Sequence, residues 1–245
     1  MFDYSLHQIF AEKMASRLSF LKQTPTKILC IGTDGGASRA VLKKIVPNAQ
    51  IDYLENNADK IAQEMAYIKS QQNLLQRIKS PQINIFRQPE HISQNHYDCV
   101  WANMPLYREQ SFQQWADYAK ENGVLFFCTV GNQTLKENPD LFNKNLPDMH
   151  DLGDIIQHNN WTDTVVDSEI YTLTYKTENG LIDDIKILGL ENDIDKEKII
   201  QTFSDNLKKI SLEIIYAHAI KQFRQPETEK VVQFYKQNPF SANLK

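Results

Sequence analysis

A glycine-bearing loop and a carboxylate set behind it are the residues of this sequence best placed to do chemistry. The run Lys27-Ile28-Leu29-Cys30-Ile31-Gly32-Thr33-Asp34-Gly35-Gly36-Ala37-Ser38 passes from apolar to small residues, then into Arg39-Ala40-Val41-Leu42-Lys43-Lys44. This is the pattern of a buried strand, a tight turn and a helix start. Glycine permits positive φ and lets the backbone come close to a ligand, and the free N–H groups of the helix that follows point at whatever sits there. A second apolar run, Ile51-Asp52-Tyr53-Leu54, ends in Glu55, nineteen residues beyond Gly36. At that offset an acidic side chain can accept from the ribose hydroxyls of a bound nucleotide. The chemistry indicated is a nucleotide-cofactor site; the other reading of such a loop is strand-turn-helix packing with no ligand.

The elements that must position these residues alternate through the first half. Residues 5–21 carry Ile9, Phe10, Met14, Leu18 and Leu21 at helical spacing, which predicts an amphipathic leading helix. Strands are expected at 27–31, 50–55, 82–86, 97–103 and 123–130, with helices after Gly36 and over about 57–79. Strands separated by crossover helices imply parallel pairing in a doubly wound α/β sheet, where ligands bind outside the carboxyl ends of the strands. Gly32, Glu55, Gln88 and Asn103 all fall at such ends. The second half breaks the rhythm, with a β-rich stretch over 162–175, helices around 179–189 and 195–204, and a last strand at 210–219. A mostly parallel sheet of about seven strands with an antiparallel final pair follows, in one domain over 1–222 with a polar tail over 223–245.

Composition bounds the rest. The 245 residues, 41% of them hydrophobic, can bury one large core. A formal charge of −4 argues against a general nucleic-acid binder. No apolar run is long enough to span a bilayer and the start lacks the order of a signal peptide, so no membrane partner is expected and the protein is expected in the cytoplasm. Cys30, Cys99 and Cys128 lie inside apolar runs, far from metal-ligand spacing, and read as small core hydrophobes rather than as metal or redox groups. His218, in an apolar strand, reads as a satisfied structural histidine.

The loop and Glu55 together resemble motif I and the acidic second-strand end of class I S-adenosylmethionine (SAM)-dependent methyltransferases. Their loop usually reads Asp/Glu-x-Gly-x-Gly-x-Gly; the same positions here hold Cys30, Gly32, Asp34 and Gly36. The second half is similar to one family among them, the malonyl-acyl-carrier-protein O-methyltransferases of biotin synthesis. The likeness is carried by Thr129-Val130-Gly131-Asn132-Gln133-Thr134-Leu135-Lys136-Glu137, by Pro147-Asp148-Met149-His150-Asp151-Leu152-Gly153-Asp154-Ile155-Ile156 and by Asn160-Trp161-Thr162-Asp163-Thr164-Val165-Val166-Asp167-Ser168-Glu169 with the strand after it. It continues through Leu188-Gly189-Leu190-Glu191-Asn192 and Glu213-Ile214-Ile215-Tyr216-Ala217-His218-Ala219.

The resemblance implies methylation of the free carboxylate of a malonyl thioester, on acyl-carrier protein or coenzyme A, with SAM as cofactor. It places Gly32, Asp34 and Gly36 at the methionine end of the cofactor, Glu55 and Asn56 at the ribose, and Gln88 where the family has an aspartate facing the adenine amino group. Asn103 and Met104 form a wall at the fourth strand end, Tyr4 belongs to an N-terminal lid, and His150 lines the acceptor pocket at a helix start capped by Asp148 or Asp151. No catalytic base is implied, because a carboxylate is already an adequate nucleophile. Asp34 is expected close to the cofactor's carboxylate unless it turns toward solvent or a base such as Arg39. The changes at Cys30, Asp34 and Gln88 also leave open a non-catalytic binding module with the same fold.

Overall fold

The apolar runs become the strands of one sheet. In the computed structural model, which describes residues 4–21, 23–71, 83–137, 146–190, 197–198 and 209–221, these are β1 (Lys27–Ile31), β2 (Gln50–Leu54), β3 (Ile85–Phe86), β4 (Tyr97–Asn103), β5 (Ala119–Val130), β6 (Trp161–Thr174) and β7 (Lys209–Lys221). They lie in the order β3-β2-β1-β4-β5-β7-β6. The first five pair in parallel, and β7 runs antiparallel to both β5 and β6. The expected sheet, with its antiparallel final pair, is the observed one.

Both faces of the central strands β1, β4 and β5 are covered, which is why they read as continuous apolar runs, whereas the edge strand β6 alternates. Ile28 and Cys30 of β1 pack into a layer with α1 (Ser5–Ser16), α2 (Ala37–Ile45) and α3 (Ala58–Gln71), through Phe10, Met14, Leu42 and Ile68. Leu29 and Ile31 point the other way, toward Phe112 and Trp115 of α4 (Glu109–Tyr118) and Leu152 and Ile156 of α5 (Met149–His158). A further helix, α6 (Glu178–Ile187), joins the first layer through Leu181 and Ile185. Strand order reverses between β1 and β4, which opens a crevice at their carboxyl ends, the usual ligand position in such sheets.

Several boundaries differ from the sequence reading. β5 starts four residues early, at Ala119, which pairs with Tyr97 of β4; the polar Lys120, Glu121 and Asn122 fall in the register shift before pairing resumes at Cys99 and Val124. In the leading helix the buried stripe is Leu6, Phe10, Ala11, Met14 and Ala15, while Ile9 is 45% exposed. α4 had no counterpart in the reading, although Phe112, Trp115 and Ala116 have helical spacing and are buried. The expected strand over 82–86 shortens to Ile85–Phe86. The end of the 57–79 helix, most of the 195–204 helix and the 223–245 tail lie outside the described residues. No described helix is long and apolar enough to cross a membrane.

The first helix is fastened to the far end of the chain. Arg17, in the 3-10 turn after α1, donates to both carboxylate oxygens of Asp167 on β6 at 2.5 and 2.6 Å, and its guanidinium lies 5.2 Å over the Tyr216 ring. Lys13 pairs with Glu169 at 3.0 Å.

Candidate active site

A cavity of about 580 Å³ opens at the carboxyl edge of β1, β2 and β4, within the usual size range for a small-molecule site. Gly32 and Thr33 line it from the β1 loop, Glu55 and Asn56 from the end of β2, and Asn103 and Met104 from the end of β4. Glu55 is pre-oriented: Oε2 accepts from the Thr33 backbone N–H at 3.2 Å and its hydroxyl at 3.4 Å, and Oε1 accepts from the Asn57 N–H at 2.9 Å. A carboxylate has about four lone-pair positions, so Oε1 keeps capacity for a ribose hydroxyl. Gly32 has φ +82°, and a Cβ there would meet nothing nearer than Glu55 Oε2 at 4.0 Å. The loop backbone is therefore open to a ligand at this point. These features fit the ribose side of a nucleoside cofactor.

Asp34 and Gly36 lie behind that wall. The Asp34 carboxylate turns inward, 5% exposed, and caps its own helix: it accepts from the Ser38 N–H at 3.0 Å, from the Ser38 hydroxyl at 2.5 Å and from the Asn103 amide at 2.8 Å. The sequence reading offered solvent or Arg39 as its alternatives; the side chain takes neither. Gly36 donates its N–H to buried Glu64 of α3 at 2.8 Å. Burial, and next the charge of Asp34, push the Glu64 carboxyl up to about 7. A thiol at position 30 suits this arrangement, since Cys30 is buried beside Asp34 and Glu64 and its own ionisation is pushed well up by burial. The carboxyl groups of this neighbourhood come from the loop and from α3 rather than from β1.

Aromatic rings cover the outer glycines. A Cβ on Gly35 would fall in the Tyr4 ring, and one on Gly36 in the Tyr67 ring. Tyr4 therefore packs on the loop, at the start of α1; burial pushes its hydroxyl up to about 12. His7, one turn later, was not singled out from the sequence. It lines the cavity at 4% exposure, and its carbonyl accepts from the Asn103 amide at 2.9 Å. Asn103 thus joins α1, the β1 loop and β4, with its Oδ1 accepting from the Cys128 thiol at 3.2 Å.

Other expected residues fall around rather than in the cavity. Gln88 is exposed at the end of β3, between Arg87 and Pro89, which do line the wall. His150 is exposed at the start of α5, its backbone N–H held by the Asp148 carboxylate at 2.8 Å as the capping argument required. The cavity's cations come from elsewhere: Lys60, Arg87 and Lys186. All three cysteines are buried free thiols. His218 differs from expectation, for its ring stacks on Phe126 at 6.0 Å but its buried Nδ1 has no hydrogen-bond partner. Only packing was legible in the apolar strand around it.

No protein-family model matches the chain. It resembles curated proteins named malonyl-[acyl-carrier protein] O-methyltransferase: that of Gallionella capsiferriformans is 26% identical over 192 residues, covering 74% of this chain and 66% of the relative. That of Methylovorus sp. is 29% identical over 195 residues, covering 74% and 65%. The chain therefore spans just under two thirds of the length of these relatives. Among solved structures, phosphoethanolamine N-methyltransferase 2 of Haemonchus contortus, in complex with S-adenosyl-L-methionine, superposes with TM-score 0.52 at 14% identity, over 86% of this chain and 52% of that one. The YcgJ protein of Bacillus subtilis superposes with TM-score 0.56 at 11% identity, over 86% and 98%. The fold is that of the class I SAM-dependent methyltransferases.

Proposed function

We propose, from a chain with this fold and these relatives, that the protein transfers the methyl group of SAM to the free carboxylate of a malonyl thioester carried by acyl-carrier protein or coenzyme A, in the making of a biotin precursor. The observation that carries the proposal is the coincidence of two independent ones. The similarity to malonyl-carrier methyltransferases runs over three quarters of the chain, and the cavity opens at the strand edge where this fold binds its cofactor. In this reading one domain spans residues 1–222, followed by a tail, and the protein works in the cytoplasm, which suits its unpaired thiols.

When bound, the cofactor supplies a methyl group activated by its sulfonium. Glu55 and Asn56 hold the ribose, Gly32 opens the loop backbone to the methionine end, and Gln88 lies toward the adenine. Asp34 and Gly36 shape the loop at the methionine end from behind. Tyr4 closes over that loop, Met104 lines the acceptor side and His150 borders it. Carboxylic acids ionise near pH 4, so the acceptor arrives as the nucleophile and no side chain has to remove a proton. The protein's work is alignment and exclusion of water.

Purified protein mixed with SAM and malonyl-coenzyme A or malonyl-acyl-carrier protein should yield the methyl ester and S-adenosylhomocysteine by mass spectrometry. Normal SAM binding without ester from either acceptor would overturn the acceptor assignment. Calorimetry showing no SAM binding would favour the non-catalytic reading.

A further inference from the structure

At the inner end of the cavity, where α1 crosses the β1 loop and the end of β4, one buried side chain is left unpaired. His7 Nδ1 has no hydrogen-bond partner although the residue is 4% exposed and lines the cavity. A buried polar group left unpaired destabilises the fold, so a ligand that pairs it is favoured. Several neighbouring donors are spent: the Gly36 N–H on Glu64, the Ser38 N–H on Asp34, and the Asn103 amide on His7 O and Asp34. The imidazole is held in place, edge-on to Tyr4 with ring centroids 5.3 Å apart. Lys60, near the start of α3, lines the same cavity, and its charge reaches His7. Burial, against the opposing charge of Asp34, pulls the imidazole down to about 4. At neutral pH it therefore carries one N–H and no net charge.

We propose that His7 and Lys60 form a carboxylate-binding pair, the imidazole N–H donating to one oxygen of a ligand carboxylate and the Lys60 ammonium supplying the opposite charge. The positive charge of Lys60 selects an anion over a cationic group, and the Asp34 carboxylate is already saturated by its own helix. The inference rests on the function proposed above, in which two ligand carboxylates enter the cavity: the methionine carboxylate of the cofactor and the free carboxylate of the acceptor.

Calorimetry with SAM and with decarboxylated SAM, together with the KM for malonyl-coenzyme A, separates these sources. The variants are His7→Phe, which keeps a ring without the donor, His7→Asn, which keeps a donor, and Lys60→Met. Hydrogen bonds to charged groups contribute about 1.5–3 kcal/mol, so roughly a tenfold or greater loss is expected from His7→Phe, with partial recovery in His7→Asn. If the cofactor's carboxylate is held, SAM weakens in His7→Phe and Lys60→Met while decarboxylated SAM does not. If the acceptor's is held, SAM affinity stays and the KM rises more than kcat falls. Either result supports the pair. Unchanged affinities and KM in folded variants overturn it, and should His7→Phe fail to fold, His7→Asn and Lys60→Met decide by the same readouts. A wild type that binds SAM but makes no ester sinks the proposed function, while the comparison of the two SAM forms still tests the pair.

Discussion

Because Asp34 caps α2 from inside and also receives the Asn103 amide, Asp34→Gly removes a cap and orphans a buried donor. Leaving the buried Ser38 N–H without its acceptor costs about 1–3 kcal/mol, so the variant should melt lower without binding SAM more tightly; a tighter Kd would show that the carboxylate faces the ligand after all. Cys30→Asp should be worse, since it buries a further carboxylate beside Asp34 and Glu64. Glu64 carries a pH signature. It titrates near 4.5 when unfolded and near 7 when folded, so between those values the folded state holds the extra proton and stability falls as pH rises. The span corresponds to about 3 kcal/mol at 1.36 kcal/mol per pH unit. His7 opposes it: it binds a proton near 6.5 when unfolded and near 4 when folded, so its contribution falls as pH drops through that window. Glu64→Gln should therefore gain on the wild type steadily from pH 4.5 to 7 in urea midpoints, and a constant difference would refute the shift. Gly32, Glu55 and Asn103 were legible as cavity residues because a strand end is a local pattern, and Asn56 and Met104 came with the resemblance; Gln88, also at a strand end, falls outside the lining. His7 and Lys60 were not, because their nearness depends on how α1 and α3 dock, which no spacing records.

Among the elements, the β1 loop is held from outside by two rings. Gly36 has φ +94° and its missing Cβ is the space of the Tyr67 ring, so Gly36→Ala meets both a backbone that L-residues resist and a ring that must move. A loss above about 1 kcal/mol is expected, from backbone strain alone; Gly36→Ala in a Tyr67→Ala background should lose less, and equal losses would remove the ring from the account. The strands of the parallel half were readable because burial on both faces leaves long apolar runs, as in Tyr97–Asn103. α4 was missed because Glu109–Tyr118 presents only Phe112, Trp115, Ala116 and Tyr118 to the core, too few to stand out from a polar stretch. β5 was read short because its first pairing, Ala119 with Tyr97, lies beyond an irregular stretch of polar residues, Lys120–Asn122, that carries no strand signal.

At the scale of the whole molecule, the sheet order followed from the alternation of strands and helices, but the fastening of α1 to β6 did not, since Arg17 and Asp167 are 150 positions apart. Arg17→Met should lower stability by more than the 0–1 kcal/mol of an ordinary surface ion pair, because Arg17 Nη2 donates to both Asp167 oxygens and the guanidinium also lies over Tyr216. Thermal melts at low and high salt would check this, and a variant melting like the wild type would reduce the contact to ornament. The same fastening sets an order of assembly on the ribosome. The helix that begins beside Tyr4 and carries His7 is synthesised before the sheet, yet its anchors at Asp167 and Glu169 come well after it, and the strand that ties β6 into the sheet, Lys209–Lys221, comes later still. A nascent chain can therefore fold its parallel half while the inner wall of the cavity waits for nearly the last described residue to emerge.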